Sequence, residues 1–273
     1  MTTKQQKLVK TLQGFKSAVV GFSGGIDSTL VLDMAITVLG QDNVLAVVAN
    51  SEFFSDDEFT AAVTLANEMG AQVETTDLDY LSEPHVKHNT ADSWYYAKQL
   101  FYNRLAELQQ QHGYDVVLDG MIMDDENDYR PGMRARDEAG AKSPLEIAGF
   151  YKADVRDLAQ ANGLKNWSKV SSCSIASRFP YDTVLTSAML TRVLRAEKYL
   201  RTQGFPIVRV RSTDQTARIE VPSEDIAALI SKRDSINNQL KVYGFDFVSI
   251  DLGGFVSGHM NSQLSAEQIA QFA

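Results

Sequence analysis

Apolar positions in the first half of the chain fall in short runs that alternate with stretches of helical spacing. Residues 16–22 (KSAVVGF) form a brief β-rich run, and Leu30, Val31, Met34, Ile36, Val38 and Leu39 then recur on one helical period over residues 28–39. The pair predicts a strand, a glycine turn and a helix. Residues 44–49 (VLAVVA) predict a second buried strand, and DDEFTAAVTLANEMG opens on acids and closes on Gly70, as a helix starts and stops. A third strand is expected over residues 71–78, a long helix over 93–111 and a fourth strand over 114–120. This βαβα alternation predicts an α/β fold whose parallel sheet is covered on both faces.

Residues 121–142 lack periodicity and mix acids, arginines, Pro131 and Gly132, so a long functional or mobile loop is expected there. A helix returns at 153–161. After about residue 182 the order changes to a helix at 187–202, strands FPIVRVRS and ARIEV, a helix at 223–243, strand FDFVSIDL and a last helix from Ser265. Adjacent strands between helices predict a smaller α+β unit with antiparallel pairing, giving domains at 1–182 and 183–273.

The 273 residues, 44% hydrophobic and 22% charged, suit a folded chain and not a disordered one. A net charge of -9 opposes attraction to nucleic acid or to an anionic membrane surface. The opening residues MTTKQQKLVKTLQGF do not read as a secretory signal, and no apolar run is long enough for a membrane span. The single cysteine, Cys173, excludes an intrachain disulfide and an all-cysteine metal site within one chain, and it matches a reducing cytoplasm.

The turn after the first strand reads Ser23-Gly24-Gly25-Ile26-Asp27-Ser28. Its glycines let backbone approach a ligand closely, and the N–H groups opening a helix favour an anion. Ser23 and Ser28 add hydroxyl donors, and Asp27 could meet magnesium or orient the turn. A pyrophosphate cradle is expected. The turn lacks the lysine of a Walker A loop and the spacing of a Rossmann turn. Residues 21–25 do match a GxSxG nucleophile elbow, with Asp246 or Asp251 and His259 as triad partners, but that elbow needs a sheet already built before it. The plainer alternative is a capped helix after a tight turn.

SGGIDS resembles the SGGxDS signature of the PP-loop ATP pyrophosphatases, which have an adenine nucleotide alpha hydrolase-like fold and adenylate a carbonyl or carboxylate. That resemblance implies phosphate binding by Ser23, Gly24, Gly25, Asp27 and Ser28, with Ala49 and Ser51, beside Val48 and Asn50, near the base and ribose. Further blocks resemble one branch, the LarE family of sulfur transferases that build the nickel-pincer cofactor of lactate racemase. They are Asp124-Asp125-Glu126, Asp128-Tyr129-Arg130-Pro131-Gly132, Ser143-Pro144-Leu145, and Cys173 with Ser177-Arg178-Phe179-Pro180-Tyr181. In the second part Arg209-Val210-Arg211, Ala217-Arg218-Ile219-Glu220, Gly254-Phe255 and Ser257-Gly258-His259-Met260-Asn261 also match.

Two departures stand out. Where relatives carry an RCYxCK-like block, this chain reads Ser93-Trp94-Tyr95-Tyr96-Ala97-Lys98, so two cluster-binding thiols are absent and no iron-sulfur cluster is expected. Val256 stands where many relatives have arginine.

The resemblance implies ATP with magnesium as cofactors and pyridinium-3,5-biscarboxylic acid mononucleotide as substrate, with no nucleic acid or membrane partner and a homohexameric assembly. A thiolate at Cys173 would displace AMP from the acyl-adenylate, and β-elimination would release the thiocarboxylate and leave dehydroalanine. A persulfide relay needs an external sulfur donor and usually a second thiol, which the chain lacks. An ATP-dependent amidating enzyme and a nucleotide-responsive binding protein without turnover are the other readings.

Strand alternation puts Arg209 and Arg211 on one face, as a fork for substrate phosphate or as a solvated face paired with Glu220. Ser177 and Arg178 join the substrate site by resemblance. Trp94, Lys98 and Phe101 share a helix face, with Trp94 a pocket wall or simply core. Asp124, Asp125, Glu126 and Asp128 lack calcium-loop spacing and read as a solvated loop, or as a lid closing over ATP with Arg130, Arg134 and Arg136. Glu197 is expected at the surface or an assembly contact, and His85 and His88 in a solvated turn.

Overall fold

The structure is a computed structural model, described here over residues 1–127, 132–169 and 173–256. Helix α1 (Thr3–Leu12), opened by a Thr2/Gln5 capping box, buries Leu8 and Leu12. β1 (Ala18–Gly21) leads through the glycine turn to α2 (Ile26–Leu39). Then come β2 (Val44–Asn50), α3 (Asp56–Glu68), β3 (Gln72–Asp77), the short α4 (Pro84–Lys87), α5 (Ser93–His112) and β4 (Val116–Leu118). The four strands lie in the order β3-β2-β1-β4, all parallel, so each crossover is helical.

Both faces of this sheet are covered, which explains why its strands read as continuous apolar runs. Ala18 and Val20 point into a core with Leu30, Leu32 and Val155, while Val19 points the other way, against Tyr102, Leu105 and Leu108 of α5.

Among the described residues of 121–142, part of the long functional or mobile loop expected is helical. A 3-10 turn covers Met123–Asn127, and α6 (Gly132–Glu138) packs on α5. A Cβ at Gly132 would lie 2.7 Å from Lys98 Cγ, so that close approach suits glycine. Two helices follow, α7 (Pro144–Ala148) and α8 (Lys152–Ala161).

Beyond them α9 (Ser187–Thr202), β5 (Arg209–Thr213) and β6 (Thr216–Glu220) match expectation, and β5 and β6 pair antiparallel. The helix expected at 223–243 is instead a 3-10 turn at Ser223–Asp225, then α10 (Ile226–Ser231) and α11 (Arg233–Val242), parted at Lys232. β7 (Phe247–Ile250) adds to β6 in parallel. The helix expected from Ser265 lies outside the described residues. This second part has its own core, around Phe179, Val193, Leu200 and Val210, which also takes in Phe53, Tyr80, Val86 and Ala97 from earlier in the chain. Among the described residues no helix is long and apolar enough to cross a membrane.

Candidate functional site

The glycine turn sits at the carboxyl end of β1 and opens α2. Gly24 has φ +65°, and a Cβ there would stand 3.0 Å from Ala62 Cβ, so both conformation and space call for glycine. Ser28 Oγ organises the turn: it donates to Gly25 O at 3.1 Å, accepts from the Ser23 N–H at 3.3 Å and lies 3.1 Å from Ser23 Oγ. Gly25 caps α2 with no side-chain hydrogen bond. The N–H groups of Gly24, Ile26, Asp27 and Ser28 therefore have no acceptor among the described residues. Such an uncapped helix N-terminus is an anion site in waiting. Among the described residues Ser23 Oγ meets Ser28 Oγ and the Gly25 N–H, and Asp251 pairs with Arg218. His259, the proposed triad histidine, lies outside the described residues.

Residues that the sequence reading missed surround this turn. Lys152, at the start of α8, donates to both Asp27 carboxylate oxygens at 2.8 and 2.6 Å. Lys169 Nζ and Asn166 Nδ2 both donate to Gly24 O, at 3.0 and 3.2 Å, and Asn166 Nδ2 also reaches Thr29 Oγ1 at 2.9 Å. Asn166 Oδ1 is buried with no hydrogen-bond partner among the described residues. Gly120, just after β4, backs the turn so closely that a Cβ would lie 2.7 Å from Ser28 N. Only Gly120 carried a signal, a glycine closing a strand; the lysines stand more than a hundred residues from their partners.

Ala49 and Ser51 lie at the carboxyl end of β2, beside the turn. Asn50 Nδ2 donates to Asp77 Oδ1 at 2.8 Å, and the Phe53 N–H donates to Ser51 Oγ at 3.4 Å. Phe53 O in turn accepts from the Ile175 N–H at 3.1 Å, which ties the cysteine segment to this strand end.

Cys173 is exposed. Behind it the arginines form a buried network. Arg178 Nε donates to Glu197 Oε1 at 2.7 Å, and Glu197 also accepts from the Val210 N–H at 3.0 Å and Arg201 Nη2 at 2.9 Å. Glu197 is thus a core carboxylate, not the surface residue expected, because three donors compensate its burial. Arg211 Nε lies 3.0 Å from both Glu220 oxygens, and Glu220 is fully buried. The Glu220 pairing is real, therefore, but the face is not solvated. Ser177 is gripped twice, its Oγ by Arg178 Nη1 and its carbonyl by Arg211 Nη1, both at 2.5 Å. Arg209 is buried, with its guanidinium 5.3 Å from the Phe255 ring. Burial, and after it the Arg178 charge, hold the Arg209 pKa below the usual arginine range, against the opposing pull of Glu197 and Cys173.

The lid residues separate. Asp125 is buried and accepts from the Ile122 N–H at 3.0 Å, so it does not belong to a solvated loop, whereas Asp124 is exposed, with its Oδ2 taking the Lys152 N–H at 2.7 Å. Arg136 turns inward to Glu146 and, at 3.0 Å, to Ser143 Oγ, which corrects its expected place in a lid over ATP. Arg134 stays exposed, bound to Glu138 at 2.8 Å with its guanidinium 4.6 Å from the Tyr95 ring. Asp128 and Arg130 lie outside the described residues. Trp94 packs half-buried against the second core, and Lys98 Nζ sits 5.4 Å from the Phe101 ring centroid. His85 is not merely solvated: its ring stacks on Tyr96 at 3.9 Å. Among the described residues no group of three or more His, Cys, Asp or Glu could hold a metal ion.

For magnesium the fitting donor set is a single carboxylate shared with substrate phosphates, which is the ion's usual arrangement. Asp27 in the cradle fits that description, on condition that Lys152 yields it.

Comparison with known proteins agrees with this geometry. The NAD synthase family matches residues 3–105. A pyridinium-3,5-bisthiocarboxylic acid mononucleotide synthase of Lactiplantibacillus plantarum is 56% identical over 273 residues, covering 100% of this chain and 99% of that protein. An uncharacterized Synechocystis protein is 36% identical, over 97% of this chain and 99% of its own. Among solved structures, an NMN synthetase from Francisella tularensis covers 63% of this chain and 76% of its own at 19% identity, with a TM-score of 0.49. End-to-end identity of that order with the Lactiplantibacillus synthase, around a shared glycine-turn domain, means that the chain belongs to the LarE family.

Proposed function

We propose that the chain transfers sulfur, at the expense of ATP, to a carboxylate of pyridinium-3,5-biscarboxylic acid mononucleotide in the making of the nickel-pincer cofactor. The observation that carries this reading is the full-length likeness to the Lactiplantibacillus synthase. The exposed Cys173, whose segment is tethered through Ile175 to the end of β2, supports it.

Ser23, Gly24, Gly25 and Ser28 receive the phosphates on free N–H groups and hydroxyls, Asp27 holds magnesium, and Ala49 and Ser51 border the base and ribose. Magnesium, when bound, neutralises phosphate charge. The substrate carboxylate attacks the α-phosphorus and releases pyrophosphate. The Cys173 thiolate then attacks the acyl carbon, and AMP leaves with the acyl–oxygen electron pair. A base takes the Cα proton of Cys173, the Cβ–S bond breaks toward sulfur, and the thiocarboxylate departs from a dehydroalanine.

Arg209 meets the anionic substrate, and Arg178 and Arg211, each committed to a glutamate, act by holding Ser177 in place. Trp94 walls the pocket, and Asp125, Asp128, Arg130 and Arg134 belong to the segment that covers ATP. The substrate domain is residues 183–273, the assembly a homo-oligomer, the compartment the cytoplasm, and no iron-sulfur cluster takes part.

Intact-protein mass spectrometry after incubation with ATP, magnesium and the biscarboxylate tests this. Loss of the elements of hydrogen sulfide at Cys173 is expected. Thiolated product alongside an unchanged protein mass would overturn the sacrificial route. Cys173→Ser is expected to release pyrophosphate without thiolation; an amidating enzyme would form its product unimpaired.

A further inference from the structure

Asp27 sits in the first turn of α2, among N–H groups that have no acceptor among the described residues. A carboxylate there would repel a triphosphate unless a cation stood between them. Lys152 now supplies that cation, with both carboxylate oxygens taken. The pair is only part-buried, at 30% and 26% side-chain exposure, so opening it does not strand a charge in the core. Apart from Asp27, the hydrogen bonds of Lys152 hold its backbone and not its ammonium. Its N–H is fixed on Asp124 Oδ2 at 2.7 Å, which leaves the four-carbon stem free to swing its ammonium. Lys169 and Asn166, by contrast, both bond Gly24 O and brace the turn itself.

We propose that Asp27 and Lys152 exchange partners when magnesium and the nucleotide bind: the Lys152 ammonium leaves the carboxylate for the phosphate oxygens, and Asp27 is freed to hold the metal. This rests on the ATP-dependent reading above and adds Lys152 to the nucleotide site. Before binding, the pair keeps the cradle's lone acid neutralised; after binding, both charges face the ligand.

Calorimetric titration of the full chain with a non-hydrolysable ATP analogue, with and without magnesium, tests the exchange. Lys152→Met and Asp27→Asn are each expected to weaken binding about tenfold with magnesium present, a loss typical of one charge-assisted contact. If the two groups hold separate partners in the complex, Asp27→Asn/Lys152→Met loses about the product of the two effects, roughly a hundredfold. A double variant no weaker than the worse single one would mean that the pair stays closed, and would overturn the exchange. Magnesium should strengthen binding to Lys152→Met as it does for the parent, and barely for Asp27→Asn; an unchanged magnesium response in Asp27→Asn also overturns it. Lys152→Arg keeps the charge and should bind close to the parent, so a loss there equal to that of Lys152→Met would point to lost packing and count against the proposal. A parent chain that fails to bind the analogue at all defeats the ATP-dependent reading first, whereas tight parental binding matched by Lys152→Met defeats only the exchange.

Discussion

Arg178 and Glu197 meet at 2.7 Å in the second core with side chains 3% and 1% exposed, one residue away from Ser177, which the same guanidinium holds. Two buried charges of this kind are tolerated because each is met by several hydrogen bonds. Their removal is asymmetric: one partner alone leaves the other stranded.

Glu197→Ala should therefore destabilise the chain by about 3–5 kcal/mol, the usual cost of leaving a buried ion uncompensated. Urea denaturation would show this as a lower midpoint at unchanged slope. A midpoint equal to the parent's would mean that the pair is exposed in solution.

Gly120→Ala should damage nucleotide binding more than its size suggests. The added Cβ would meet the Ser28 nitrogen at 2.7 Å and the Asp27 carbonyl carbon at 3.0 Å, both of them backbone atoms at the start of α2. Overpacking against rigid backbone costs about 1–3 kcal/mol. Calorimetry with the ATP analogue and a denaturation curve separate the two effects; intact affinity in the variant would show that the turn does not depend on this contact.

Asp154, two residues after Lys152 in the first turn of α8, sets a pH dependence. A hydrogen bond from Lys4, against some desolvation, holds its carboxyl below the ordinary aspartate range, helped by the Tyr151 N–H. A depressed folded-state pKa means that the unfolded chain takes up the proton first. The stabilisation is thus complete above the ordinary aspartate value and is lost as pH falls through the lowered one. Asp154→Asn should flatten this part of the acid limb of stability against pH, modestly, since both side chains are about a third exposed. An identical acid limb in parent and variant would refute the linkage.

How far the sequence revealed this molecule depends on the range of the interactions. β1, β2 and α2 were legible because a strand buried on both faces reads as an unbroken apolar run, and because Gly24, Gly25 and Gly70 mark where the chain turns. α6 was missed since its inward positions include Gly132 and Arg136, which carry no apolar period; packing on α5 and the Ser143 and Glu146 contacts hold it instead. The break at Lys232 has neither glycine nor proline to announce it. Within the site, the SGGIDS turn was visible as a local motif, whereas Lys152 reaches Asp27 across 125 positions and Asn166 reaches Gly24 across 142. The burial of Glu197 is not legible in the sequence because a charged residue on a helix is ordinarily solvated, and β5 packing beside it supplies the Val210 N–H.

Cys173 lies at the surface, outside the three hydrophobic cores, so its sulfur fills no space that the fold depends on. If the atom departs as proposed, it leaves no cavity, and the buried Arg209 loses only the pull of the thiolate while Glu197 continues to act on it. The spent chain would stay folded, with its glycine turn and its arginine network intact, and would still bind nucleotide and substrate. It would then compete with fresh chains for both, so cofactor output would follow the rate at which ribosomes replace the protein and the rate at which used copies are cleared.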